Sequence, residues 1–382
     1  MMMKGTLAWI IFGLASATCL LWIGFGVRDD LREDNVFHDV IQKRIALSKA
    51  SVDELHIGAG GNWKHHAAML QGIEIATAEI NANGGILGRK IILDCRDDQG
   101  TINGALTIAQ SFATKPEISF VIGHTELELN AAVAQNYEFY GLMSLSPNTA
   151  GSSSSVNAFS LLFENGTPPK QTCKAILKLA KEKEWSRLGL FYVKSDQTMQ
   201  QARRFESIAN RHEIQIPLSF GYEGRGSGIA MHMEHWKREL DLDAIVLAVK
   251  TPDIANLVSA SRALGIDCPF IVAGKRPTAI SSDKTNIFGS MYFLEPAQKT
   301  VKYDNFAKLF QNQFDKMPSA EALQGYDSVR ILTQAIKKAD SFVPASVASA
   351  LRDSQIDDSL SGTIRFDQQG NAVKKPLKFI KY

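Results

Sequence analysis

The sequence predicts an α/β protein of two lobes, each built on a mainly parallel sheet. Two observations carry that reading. From about residue 53 the period of hydrophobicity switches repeatedly between that of strands and that of helices. The alternating pattern then starts afresh at Thr167-Pro168, a helix cap followed by proline at the first helical position.

Residues 55–58 read as the first strand and Gly60-Gly61-Asn62 as a turn. The helix that follows places Met69, Ile73, Ala76 and Ile80 on one face and stops at Asn83-Gly84-Gly85, where glycine accepts the left-handed backbone that ends a helix. Residues 91–93 form the next strand. Gly100-Thr101 opens a second helix with Ala105, Ile108, Ala109 and Phe112 inward, and residues 120–123 form a third strand. This β-α-β-α-β order asks for a parallel sheet with helices on both faces. After the restart, residues 188–193, 214–220, 244–249 and 270–273 read as strands with helices between them, one of these over 229–240. Residues 363–366, the turn Asp367-Gln368-Gln369-Gly370 and residues 377–382 read as a hairpin.

Composition narrows the function. Of the 382 residues 45% are hydrophobic and 21% charged, enough apolar material for packed cores. A net charge of +2 without a long basic run excludes a nucleic-acid footprint. Residues 7–27 are uncharged and strongly apolar, preceded by Lys4 and followed by Arg28, Asp29 and Asp30. At the helical rise they cover roughly 30 Å, longer than the ~7–15 apolar residues of a cleaved signal. A retained anchor over 1–27 is expected, with the rest exported, because the charge at the extreme N-terminus favours leaving that end inside. A lipid-attachment signal at Cys19 is the rival; Ser16-Ala17-Thr18 matches it poorly. Residues 28–52 read as a helical or mobile linker without chemistry. Cys95, Cys173 and Cys268 are widely spaced, in no CxxC pattern, and read as small buried residues; no disulfide follows from them.

Several segments, taken in order, resemble a known family. Gln71-Gly72-Ile73-Glu74, the run Glu79-Ile80-Asn81-Ala82-Asn83-Gly84-Gly85-Ile86-Leu87-Gly88, Asp97-Asp98, Val121-Ile122-Gly123-His124, Ser144-Leu145-Ser146-Pro147 and Gly325-Tyr326-Asp327 are similar to the type I periplasmic solute-binding proteins, in the leucine/isoleucine/valine-binding branch. The resemblance runs from about residue 53 to 380. It implies two Rossmann-like lobes with parallel-sheet cores joined by a three-stranded hinge, closing on a solute like a Venus flytrap. Lobe 1 would hold 53–165 plus 294–355 and lobe 2 would hold 166–293 plus 356–382, with crossings near 163–167, 291–296 and 355–361. In such sheets ligands bind beyond the carboxyl ends of the strands, and closure couples binding to a hinge motion.

Candidate binding residues follow from those strand ends. In the loop after the first strand, Trp63 either covers an apolar part of the solute or packs on its own loop; His65 and His66 either donate to an acid or are solvated. In the loop after the third strand, Thr125 keeps the hydroxyl character of amino-acid-binding relatives, while Leu127 falls where the resemblance implies a binding serine. Glu126 faces a cationic or amide group or stands in water. Asn148 and Thr149 match positions that touch ligand in relatives, or are turn residues after Pro147. In the second lobe Gln197 matches a contact before the first helix, and Lys250 follows a strand. Gly274-Lys275-Arg276 lacks the acid that amino-acid binders commonly place there, so Lys250, Lys275 and Arg276 suit a carboxylate or other anion.

Catalysis is not expected. No GxxxxGK[ST], GxSxG or HExxH is present, and His65, His66, His124 and Glu126 make a poor metal set because adjacent histidines rarely reach one ion. His232 and His235 sit three apart without a third ligand. No cofactor is expected. The expected partners are a small polar or anionic organic solute, amino-acid-like or carboxylate, and an ABC permease and ATPase at the periplasmic or extracellular face of the cytoplasmic membrane. The alternative is a membrane-tethered sensor or partner-binding subunit in which another protein reads the closure.

Overall fold

The computed structural model describes residues 38–147, 159–167, 169–194, 196–223, 241–249, 251–273, 291–296, 300–373 and 377–381. The first sheet contains β1 (Glu54–Gly61), β2 (Lys90–Asp97), β3 (Ile118–Ile122), β4 (Met143–Ser146) and β5 (Leu162–Glu164). Its order is β2-β1-β3-β4-β5 and every pairing is parallel. All five residues of β3, Ile-Ser-Phe-Val-Ile, are buried, as a central strand covered by helices on both faces requires. The crossovers are α2 (Ala67–Ala82), α3 (Ile102–Ala113) and α4 (Leu127–Phe139). Thr101 caps α3 by accepting from the Gly104 N–H.

The second sheet holds β6 (Arg187–Val193), β7 (Gln215–Tyr222), β8 (Ala244–Ala248), β9 (Phe270–Val272), β10 (Met291–Pro296) and β13 (Leu377–Lys381) in the order β13-β10-β9-β8-β6-β7. Only β13 runs antiparallel. Around it lie α5 (Pro169–Glu182), α6 (Asp196–Arg211) and α7 (Thr251–Ala263). The chain then returns to the first lobe as α8 (Val301–Phe314), α9 (Ala320–Ala339) and α10 (Pro344–Arg352), whose apolar faces share one core with β1 and α2. Two α/β halves with separate cores are thus present, as the sequence predicts.

The family-like segments owe their form to packing between α2 and α9. A Cβ on Gly72 would stand 2.0 Å from the Ala322 carbonyl, and one on Gly325 would stand 2.0 Å from that of Met69. Each helix therefore opens its backbone to the other. Beside this contact the Tyr326 hydroxyl donates to Glu79 at 2.5 Å, and Asp327 accepts from the N–H groups of Leu360 and Ser361. Asn81 bonds both the N–H and the carbonyl of Ile91, tying α2 to β2.

Four expectations change. Residues 38–49 form a helix, α1, that is docked rather than mobile. Arg44 in α1 is buried and donates to the carbonyls of Ile118, Tyr140, Ala113 and Lys115. Burial pulls its guanidinium down to about 10, and four carbonyl dipoles compensate its lost hydration. Arg89 in turn bonds the carbonyls of Leu47, Ser48 and Ala50 at the end of α1. Secondly, the terminal hairpin closes on a different second arm: Phe366 bridges antiparallel to Ala372 and the Val373 N–H donates to the Arg365 carbonyl, so 377–381 is not its partner. Residues 364–365 are β12, paired with β11 (Gln355–Ile356), while β13 pairs with β10; the turn survives, with Asp367 accepting from Gly370. Thirdly, Ile356, Leu360, Ile364, Phe366 and Ala372 lie in the core of the first lobe, so the last passage between lobes falls after Ala372, not at 355–361. Finally, Cys95 is exposed, while Cys173 and Cys268 are half-buried. No helix among the described residues is long and apolar enough to cross a membrane; residues 7–27, like the helix expected over 229–240, lie outside the described residues.

Candidate functional site

The carboxyl ends of the first-sheet strands gather Asn62 and Trp63 after β1, Asp98 after β2, the loop Gly123–Glu126 after β3 and Pro147 after β4. Glycines let the loops after β1 and β3 meet. A side chain on Gly61 would collide with the Thr125 methyl at 2.6 Å and with the Trp63 ring at 2.8 Å, and one on Gly60 would strike the His124 ring at 2.9 Å. Trp63 therefore lies beside Thr125 at the strand ends, half-buried.

Beneath this surface is a fully buried polar network. His124 Nδ1 donates to Asp98 Oδ2 at 2.6 Å, and its Nε2 shares a 3.1 Å hydrogen bond with the Tyr137 hydroxyl. Burial raises the Tyr137 phenol far above its ordinary range, so the hydroxyl keeps its proton. Asn130 clasps the backbone of the loop: its Oδ1 accepts from the His124 N–H at 2.6 Å, and its Nδ2 donates to the carbonyls of His124 and Glu126. Thr125 Oγ1 accepts from the Asn62 N–H at 3.0 Å. The loop is thereby held in one conformation by hydrogen bonds from within the first lobe.

At the rim, His66 stands between two carboxylates, with Nε2 3.2 Å from Glu126 and Nδ1 3.2 Å from Glu321. Hydrogen bonds to Glu126 and then Glu321 push its imidazole up to about 9, so it is an imidazolium at neutral pH. The clamp joins three segments: the start of α2, the start of α4 and the first turn of α9. Close by, Gln324 Nε2 donates to the Pro147 carbonyl. Among the buried polar atoms that lack a hydrogen-bond partner in the described residues, the Trp63 indole N–H and Gln324 Oε1 belong to this region. A buried group left so costs about 1–3 kcal/mol.

Of the residues singled out from sequence, Trp63, Thr125 and Glu126 come together here, while His65 is exposed on the same loop. Gln197 lies in the first turn of α6. Asn148, Thr149, Lys250 and Lys275 lie outside the described residues, as do Arg276, His232 and His235. On the second lobe, a cavity of about 300 Å³ opens at the strand ends, with Thr167, Tyr192, Thr198, Ala248 and Ala273 in its wall. Sequence reasoning missed Asn62, Asn130, Tyr137, Glu321 and Gln324. The signal for two of them was present: Asn130, Val133 and Tyr137 recur at helical spacing on the inward face of α4.

Comparison with known proteins agrees with this architecture. The chain is 24% identical over 331 residues to the Leu/Ile/Val-binding protein homolog 1 of Brucella abortus, covering 82% of this chain and 84% of that protein. An ABC transporter substrate-binding protein from Desulfitobacterium hafniense, solved in complex with Leu, superposes with a TM-score of 0.75 at 25% identity, over 86% of this chain and 97% of that one. The branched-chain amino acid transporter substrate binding protein LivJ from Streptococcus pneumoniae, in complex with isoleucine, shares the fold with a TM-score of 0.69 at 20% identity, over 86% and 100%. The family model described as periplasmic binding protein matches residues 60–382, and with two parallel-sheet lobes whose strand ends carry a preformed loop, the chain belongs to that family.

Proposed function

We propose that the two lobes close on a small polar or anionic organic solute, amino-acid-like or a carboxylate, and present it to an ABC permease and ATPase at the outer face of the cytoplasmic membrane. The observation that carries this reading is the pair of unsatisfied buried groups, the Trp63 N–H beside Thr125 and the Oε1 of Gln324, whose amide bonds the Pro147 carbonyl. Thr125, Glu126, Asn148 and Thr149 serve as the first-lobe contacts, with Trp63 over the apolar part of the solute and His65 at the mouth. Gln197, Lys250 and Lys275 complete the shell from the second lobe, the lysines meeting the anionic group. Residues 1–27 retain the protein at the membrane. The solutes bound by the Desulfitobacterium and Streptococcus proteins, Leu and isoleucine, support capture of an amino-acid-sized molecule. The basic sequence Gly274-Lys275-Arg276 shifts the preference toward acids. No chemistry on the solute is part of this reading.

A thermal-shift screen of the full chain tests it. Succinate and glutarate are expected to raise the melting temperature by several degrees, and Leu, Ile and Val by less. The reverse ranking removes the anionic preference, and no response to any small acid or amino acid removes the capture reading. A second reading, a membrane-tethered sensor, is favoured by one observation, the rigid seating of α1 through Arg44. It predicts that a partner other than a permease co-purifies with the solute-bound form.

A further inference from the structure

Adjoining the second-lobe strand-end cavity, with which it shares Pro169, Cys173 and Gln201, a groove of about 610 Å³ runs between α5, α6 and the chain segment 367–373. Its volume falls within the range of ~300–1,000 Å³ usual for small-molecule sites. The groove lies where two passages between the lobes run side by side. The Ala372 N–H donates to the Glu164 carbonyl, the Glu164 N–H donates to the Gly370 carbonyl, and the chain leaves Glu164 for α5 and Ala372 for β13. Across the groove Gln171 Nε2 donates to the Val373 carbonyl, so its walls belong to both the second lobe and the passage into the first.

The chemistry of the walls is uneven. Cys173, Ile208, Ala372 and Val373 give it apolar surface. Burial pushes the Cys173 thiol up to about 11, so it stays a neutral thiol. Lys170 and Lys174 on α5 face Arg204 and Arg211 on α6, at helical spacing on each helix. Asp367 is the single carboxylate among the described lining residues, and it is spent on its own turn, accepting from Gln369 and Asn371. Among the described residues, Lys170, Lys174 and Arg211 have no carboxylate within ion-pair distance. Gln171 Oε1 is buried and has no donor among them. Cations crowded around an apolar trough repel one another, and an anion with an apolar body relieves the repulsion while covering the trough.

We propose that this groove is a second binding site, for a free small organic anion with an aromatic or short aliphatic body, whose acidic group sits among Lys170, Lys174 and Arg211 and whose hydrogen-bond donor meets Gln171. Because the walls come from α5, α6 and the 367–373 passage, occupancy is tied to hinge geometry. The proposal does not depend on which solute the strand ends capture.

The probe is 2-naphthalenesulfonate, titrated calorimetrically into the full chain in nanodiscs, with 2-naphthalenemethanol as the uncharged analogue. One-to-one saturable binding is expected, at least tenfold weaker for the alcohol. The exposed double substitution Lys174→Glu with Arg211→Glu is expected to weaken sulfonate binding at least tenfold without changing the melting temperature, and Cys173→Trp to abolish it by filling the trough. Thr125→Val, at the strand ends, is expected to leave it intact. Undiminished binding in the charge-reversed variant overturns the proposal. So does loss of sulfonate binding in Thr125→Val alone, which would place the probe in the solute cleft. Equal affinity for the alcohol overturns the anion requirement.

Discussion

At the residue scale, His66 is the most exposed to test. Its partners raise its proton affinity in the folded state, from the ordinary value of 6.5 to about 9. A raised folded value means that the stabilisation is complete below about 6.5 and is lost as pH rises through about 9. Water at the half-exposed Glu126 end screens the pair, so the contribution is about 1–2 kcal/mol. Urea unfolding of the wild type is expected to show stability falling between pH 6.5 and 9, and His66→Gln to flatten that fall; an unchanged slope in the variant would remove the clamp. The positions of Trp63, Thr125 and Glu126 were legible in sequence because a strand end shows itself by where apolar runs stop. The partners of His124 were not. Asp98 and Tyr137 reach it from a different strand end and from the second half of α4, and no local pattern encodes a contact that exists only once β2, β3 and α4 are assembled.

At the element scale, the α2–α9 contact shows why small sequence pieces can identify an architecture. Gly72 and Gly325 lie far apart in the chain, yet each accommodates the other helix's backbone. Gly72→Ala is expected to cost about 2–3 kcal/mol, since the intruding methyl meets a carbonyl rather than a movable side chain. Differential scanning calorimetry would read it as a lower melting temperature, and a wild-type value would show that the helices are not held this close. Strands were legible as strands, but their partners were not. The run near the C-terminus reads as pairing with its nearest neighbour, whereas β13 finds β10, because the period of a strand states which face is buried and nothing about who lies beside it.

At the scale of the whole molecule, two lobes were legible because the β-α alternation restarts. The docking of α1 was not, since a single arginine in a charged segment looks like any solvated one. Arg44→Ala is expected to cost about 3 kcal/mol by stranding four carbonyls in the interior. Hydrogen exchange would then report α1 opening while β1 and β3 keep their protection; full protection of α1 in the variant would show that Arg44 is dispensable. The two lobes also differ in how they meet the rest of the chain.

The carbonyls that Arg44 grips belong to Ile118 at the start of β3 and to Ala113, Lys115 and Tyr140, at the approaches to β3 and β4, the end of the sheet opposite the strand ends that carry Thr125. Whatever precedes α1 thus joins one half of the molecule, at its base. In an engineer's language α1 is a boss cast onto one arm of a clamp: every hydrogen bond that ties it down, among the described residues, goes to the first lobe and none to the second.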